Sequence, residues 1–307
     1  MTWRGTFARK PMRETELVDW TTKIDAGGRD KLSYIERPGE GLPILFLHGS
    51  GFCKEVFLKQ FAGTRLADRH LLALDLPGHG QSADAEDPDR TYSYAGLAES
   101  VAGFINRLKL DQCIVVGWSL GGHVAYDLLK MVPGVAGLMA FGAPPTVAGP
   151  LGVIRSLHIS RTLLLISKAT FTAADAERFE RVCFGEHSKG EFVEALMRTD
   201  ARMRPSLSRS VMRGFGPGQK EEVEKSHKPI CLLHGGQDPI VSAGYMQSIR
   251  GLGLYHGRTI VLPGSGHAPF FDSPTEFDEL LNGFVGAVEY GCATDELANQ
   301  YRQAFAV

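Results

Sequence analysis

The run Gly117-Trp118-Ser119-Leu120-Gly121 sets a small hydroxyl between two glycines. The apolar stretch Cys113-Ile114-Val115-Val116 precedes it, and Gly122-His123-Val124-Ala125-Tyr126-Asp127-Leu128-Leu129 follows and reads as a helix. Strand, G-x-S-x-G, helix is the context of a nucleophile elbow, a turn so tight that the residues two before and two after the serine nearly touch and must lack side chains. Ser119 would then project at the mouth of a sheet, its Oγ over a helix N-terminus that favours developing negative charge. The chemistry implied is nucleophilic attack on a carbonyl.

An alcohol is a poor nucleophile at neutral pH, so Ser119 needs a base within reach and an acid that orients the base. The first acid directly after a late strand is Asp238, in His234-Gly235-Gly236-Gln237-Asp238-Pro239-Ile240. The base follows the last strand, in Leu262-Pro263-Gly264-Ser265-Gly266-His267-Ala268-Pro269-Phe270. Each of the three lies just past a strand's C-terminal end, which in a parallel sheet is a common edge. Asp272 and Asp278 are rival acids, but they come after the histidine and read as capping or lining the final helix. The oxyanion of a tetrahedral intermediate needs two converging N–H groups. Leu120, after the nucleophile, supplies one, and the loop His48-Gly49-Ser50-Gly51-Phe52 supplies the other, from Ser50. His48 and His79 read as structural members of their turns, and His123 as a residue behind the serine or buried. There is no H-x-H-x-D-H, no H-E-x-x-H, no zinc-spaced Cys/His cluster and no Walker-type loop, and Gly251-Leu252-Gly253 follows no strand. A metal-independent mechanism without a cofactor is therefore expected.

These groups need elements to position them. Apolar runs at Pro43–Leu47, Leu71–Leu74, Cys113–Val116, Gly137–Phe141, Ile230–Leu233 and Thr259–Leu262 alternate with helical stretches such as Tyr94–Leu108 and Leu120–Met131. That is the pattern of an α/β protein with a mostly parallel central sheet covered by helices on both faces. Lys31–Ile35 reads as an antiparallel edge strand. The alternation lapses from Pro144 to Lys228, which reads as helices broken at Pro150 and Pro205. The expected organisation is a core domain of residues 1–143 and 229–307 with a helical cap, 144–228, inserted over the active site. The apolar surface of Leu151–Ala169 is expected to pack on the core, with roofing of a substrate pocket as the sharper alternative. In the tail, Leu297, Tyr301 and Phe305 recur every fourth residue and suggest packing against the chain's own domain.

Over 307 residues the formal net charge is −2, which argues against a nucleic-acid partner. The densest basic run, Arg198, Arg202, Arg204, Arg209 and Arg213, reads as a solvated face with local acidic partners. Five scattered cysteines without C-x-x-C spacing suggest a reducing compartment. With no apolar leader and no run long enough to cross a bilayer, a cytoplasmic protein without a membrane partner is expected. The partner expected is a small-molecule ester or lactone.

His48-Gly49, Asp75-Leu76-Pro77-Gly78-His79-Gly80-Gln81-Ser82, the elbow and Gly266-His267 together resemble the α/β-hydrolase superfamily, over roughly Lys31 to Val288. In that superfamily the triad follows the chain order Ser, Asp or Glu, His. Asp75–Ser82, Asp87-Pro88-Asp89-Arg90, Gly117–His123, Gly142-Ala143-Pro144-Pro145, Arg198-Thr199-Asp200 and Gly266–Phe270 more closely resemble the α/β-hydrolase-type N-acyl-homoserine lactonases. The resemblance implies an α/β-hydrolase fold and a metal-independent opening of the lactone ring of quorum-sensing signals. The sequence departs from that family where Ser50 replaces an asparagine and where Phe179 stands at the position of a substrate-binding tyrosine. Trp118 and Phe179 are candidates to line the acyl pocket, with core packing the alternative for both. A general carboxylesterase, a C–C bond hydrolase and a lactone-binding receptor share the same machinery and stay open. Epoxide and haloalkane hydrolysis would need a carboxylate at position 119.

Overall fold

In the computed structural model, which describes residues 20–28, 31–147, 149–158, 162–215 and 218–291, eight strands form one sheet. They are β1 (Thr21–Asp25), β2 (Leu32–Arg37), β3 (Glu40–Leu47), β4 (Arg69–Leu74), β5 (Cys113–Trp118), β6 (Val135–Phe141), β7 (Ile230–Gly235) and β8 (Ile260–Leu262). The order across the sheet is β1-β2-β4-β3-β5-β6-β7-β8. β1 and β2 pair antiparallel, as do β2 and β4, and every other pair is parallel. The fold is the α/β-hydrolase arrangement expected from the sequence, a mostly parallel open sheet wrapped in helices.

Strand β5 is buried along its whole length, which its β-branched and apolar residues suit. Side chains alternate between faces, so the two faces of β6 can be read from its small residues. Gly137 lies against Phe284 and Val288 of the helix Pro274–Glu289, while Ala140 lies against Gly122 of the helix Leu120–Met131. Helices therefore cover both faces. Because β5, β7 and β8 run parallel, the segments that leave their C-terminal ends emerge along one edge, and residues 119, 238 and 267 all sit on such segments.

Three expectations are corrected. The edge strand is β1, whose exposed Thr-Thr-Lys-Ile-Asp carries no apolar alternation, and β2 lies one place inside it. Pro205 does not break a helix: it is the third residue of Met203–Ser210, in the first turn, where its missing N–H has no intrahelical acceptor to lose. The stretch Leu151–Ala169 does not pack wholly on the core, since Leu151, Ile154 and Leu164 are exposed while Leu165 is buried. Pro150 opens its helix at the first position, a place proline favours.

Between β6 and β7 the described residues hold helices and no strand, apart from an isolated bridge of Leu157 with Val241. An aromatic cluster fastens this segment to the segments that follow β3 and β8. Phe184 stacks on Phe271 at 4.2 Å, and Phe52 meets Phe179, Phe184 and Phe192 at 6.0, 5.1 and 6.0 Å. Such ring pairs contribute beyond simple area burial. Asp87-Pro88-Asp89-Arg90 also holds it: Asp87 caps the turn Pro88–Thr91, and Asp89 accepts from Arg209 at 2.7 Å and from Ser206 at 3.1 Å. The tail positions Leu297, Tyr301 and Phe305 lie outside the described residues.

Candidate active site

Ser119 occupies the turn between β5 and the helix that Leu120 opens, with φ 51° and ψ −115°. A non-glycine residue held in that region is strained, and the strain is characteristic of a nucleophile elbow. A Cβ on Gly117 would strike the Gly121 carbonyl, and one on Gly121 would strike the Leu47 carbonyl of β3, so both glycines are sterically required. The Ser119 N–H donates to Phe141 O at 2.9 Å, which ties the elbow to the end of β6.

Asp238 leaves the turn after β7. Its Oδ1 accepts from the N–H groups of Ile240 (2.8 Å) and Val241 (3.0 Å), and its Oδ2 lies 2.9 Å from His267 Nδ1. Both side chains are buried. Burial alone would raise the Asp238 pKa, but the His267 ring and the two N–H groups outweigh it and hold the carboxyl below its usual range. An ionised carboxylate can only accept, so Nδ1 is the donor, and in the neutral ring that tautomer leaves the Nε2 lone pair free.

Several contacts bring His267 to the elbow. Trp118, the residue before the serine, donates from Nε1 to His267 O at 2.9 Å. Gly142 follows β6, whose Phe141 carbonyl accepts from the Ser119 N–H, and a Cβ placed on it would lie 2.8 Å from His267 Cε1. Asp272 Oδ2 accepts from Gly266 N at 2.8 Å, fixing the loop's other side. Among the described residues the Ser119 hydroxyl forms no hydrogen bond to the ring, and catalytic hydrogen bonds of this kind are often long or misaligned until substrate is bound.

Leu120 is the first residue of its helix, so its N–H has no intrahelical acceptor. Ser50 lies in the turn after β3, where the Phe52 N–H donates to Gly49 O at 3.1 Å. Two buried polar contacts fix this loop from behind. His48 Nδ1 donates to Gly49 O (2.8 Å), and its Nε2 accepts from Leu76 N (3.0 Å). Burial pushes its pKa down to about 4, which suits a structural histidine. The Lys54 ammonium is fully buried 2.7 Å from Asp75 Oδ2, and Asp75 also accepts from the N–H groups of Lys54 and Gln81.

Trp118 packs within the aromatic cluster. It is fully buried among Phe52, Phe184 and Phe270, and its polar atom serves the histidine loop. Phe179 is also buried, between Phe52 and Phe171. The rival Asp278 sits away from His267, beside Gln60 and Arg37, and burial pushes it up to about 7. His123 is held by Gln219 at 2.8 Å and stacks on Tyr94. In the basic run, Arg198, Arg202 and Arg209 pair with Asp84, Asp200 and Asp89 at 2.9, 2.7 and 2.7 Å. Arg204 departs from the expected solvated face: it is buried without an acidic partner. Its environment, the Lys54–Asp75 pair and the indole N–H are the features that residue spacing did not reveal, because each depends on contacts distant in the chain.

Among the described residues no group of three or more His, Cys, Asp or Glu could hold a metal ion, and no helix is long and apolar enough to cross a membrane. Cys53, Cys113, Cys183 and Cys231 are buried and free.

Residues 44–280 match the model of the Alpha/beta hydrolase family. The crystal structure of the N-acyl homoserine lactonase AidH in complex with N-butanoyl homoserine is similar, with a TM-score of 0.84 and 31% identity over 87% of this chain and 97% of that one. The pimeloyl-[acyl-carrier protein] methyl ester esterase of Xanthomonas oryzae pv. oryzae is 28% identical over 83% of this chain and 99% of its own length. Esterase Rv0045c of Mycobacterium tuberculosis is 26% identical, with 86% and 88% covered.

Proposed function

We propose, from the premise that the chain belongs to the alpha/beta hydrolase family, that it is a serine hydrolase of carboxylic esters and lactones with Ser119, His267 and Asp238 as its triad. The observation that carries this reading is the buried Asp238–His267 hydrogen bond of 2.9 Å, on a loop that the Trp118 indole N–H ties to the strained elbow. His267 Nε2 takes the Ser119 proton as Oγ attacks the carbonyl, and Asp238 fixes the tautomer and stabilises the imidazolium. The N–H groups of Ser50 and Leu120 hold the oxyanion. Collapse expels the alcohol, which takes its proton from His267, and leaves an acyl-enzyme that water cleaves with His267 as base. In a lactone the acid and alcohol stay joined, so the product is one ring-opened hydroxy acid.

The substrate class within this reading is N-acyl-homoserine lactones, supported by the likeness to AidH across nearly all of both chains. Residues 144–228 are read as a cap roofing the acyl chain, with Phe179 at its inner surface. A general carboxylesterase is the second reading, favoured by Phe179, whose phenyl ring offers a substrate no hydroxyl, and by the esterases among the relatives. Acid release from a panel of homoserine lactones beside linear esters of matched chain length tests the choice. Faster turnover of the lactones is expected, and linear esters reacting far faster would move the assignment to esterase.

A further inference from the structure

Arg204 is the anomaly of the basic run. It is 1% exposed, and Nε, Nη1 and Nη2 all lack a hydrogen-bond partner within the chain. No acidic side chain offsets its charge, and burial alone lowers its pKa, to about 10, so it stays charged at neutral pH. One face of the guanidinium lies over the Phe171 ring, 4.0 Å from its centroid. The other side abuts the loop after β3: a Cβ on Gly51 would collide with Nη2. Gly51 has φ +85°, follows Ser50 directly, and its carbonyl accepts from Thr199 Oγ1 at 3.3 Å. His79, nearby, is kept neutral by burial and supplies no negative charge.

A cation without a counter-ion in low-dielectric surroundings is a standing cost to the fold, and replacing such a group with an apolar one of similar volume is often neutral or stabilising. Its field, unquenched by any carboxylate, acts instead on whatever charge arises close by. Here that neighbour is the loop proposed above to donate the Ser50 N–H. We infer that Arg204 is a positioning residue for the oxyanion loop, packing against Gly51 to set its path and supplying a positive field matched only when the tetrahedral intermediate becomes negative. The inference rests on the serine-hydrolase reading. It predicts help that is larger for the transition state than for the bound substrate, and so falls on kcat.

The test compares Arg204→Met and Arg204→Lys with the parent on p-nitrophenyl butyrate, together with inhibition by a short-chain trifluoromethyl ketone. In that adduct Ser119 Oγ bonds to the ketone carbon, the serine proton passes to His267, and the former carbonyl oxygen becomes the anion. Arg204→Met should lower kcat by about 10- to 100-fold with KM changed by less than about threefold, and should weaken the ketone by the same factor as kcat/KM. Arg204→Lys, which keeps the charge, should recover part of both, and Arg204→Met should melt no lower than the parent. A kcat within about twofold of the parent would overturn the inference, as would a kcat loss that leaves ketone affinity unchanged or comes with a lowered Tm. Full turnover by Ser119→Ala would instead sink the reading of Ser119 as the nucleophile.

Discussion

The acid of the proposed triad is recognisable by what it accepts. Asp238 takes two backbone N–H groups on one oxygen and His267 on the other, whereas Asp272 holds a backbone N–H of the loop and Asp278 lies apart. Asp238→Asn would present an amide where a carboxylate fixes the imidazole, favouring the wrong tautomer and leaving the imidazolium unsupported. A kcat loss of about 10³- to 10⁴-fold with little change in KM is expected from steady-state ester hydrolysis. A loss below about tenfold would move the acid elsewhere. At this scale the sequence was most legible, because G-x-S-x-G and the positions just past two strands are local signals. Trp118 was less so: its place before the serine suggested pocket lining or core packing, and nothing local announced that its N–H donates to the histidine loop. Arg204 was illegible, since an arginine among arginines on a helix looks solvated until the fold closes over it.

At the level of elements, two loops are joined by one buried ion pair. Lys54 in the loop after β3 and Asp75 after β4 are both fully buried, so each depends on the other. Asp75→Asn should destabilise the protein by about 3 kcal/mol, near the lower end for a broken buried pair because Glu55 remains 2.9 Å from the ammonium. Denaturant melts of Asp75→Asn, Lys54→Met and the double variant would check this, with the double losing less than the sum. Additive losses would show that the pair is not coupled. The strands were legible because buried parallel strands are continuous apolar runs. The exception, β1, escaped because an exposed edge strand has no apolar face to announce it. The helices between β6 and β7 were legible only as an absence of strands, and which apolar residues they leave exposed depends on packing that spacing does not encode.

For the molecule as a whole, buried titratable groups pull stability in opposite directions with pH. His48 and His123 are pushed down to about 4 by burial, so the stability they contribute is present above about 6.5 and is lost as pH falls towards 4. Asp278 is pushed up to about 7, so its contribution is present below about 4 and is lost as pH rises through 7. Asp278→Asn, which cannot ionise, should be near neutral at pH 4 and stabilising at pH 8, the gain growing by up to about 1.4 kcal/mol per pH unit in between. Urea melts at three pH values would show it, and a pH-independent difference would contradict it. The most direct test of the central claim is active-site labelling of the intact protein. A fluorophosphonate, which phosphonylates an activated serine with loss of fluoride, should add one label per chain, map to Ser119 by peptide mass spectrometry, and abolish ester hydrolysis in proportion to its incorporation. A label on another residue accompanying the loss of activity, or a protein that resists labelling while it still turns over ester, would contradict a nucleophilic Ser119.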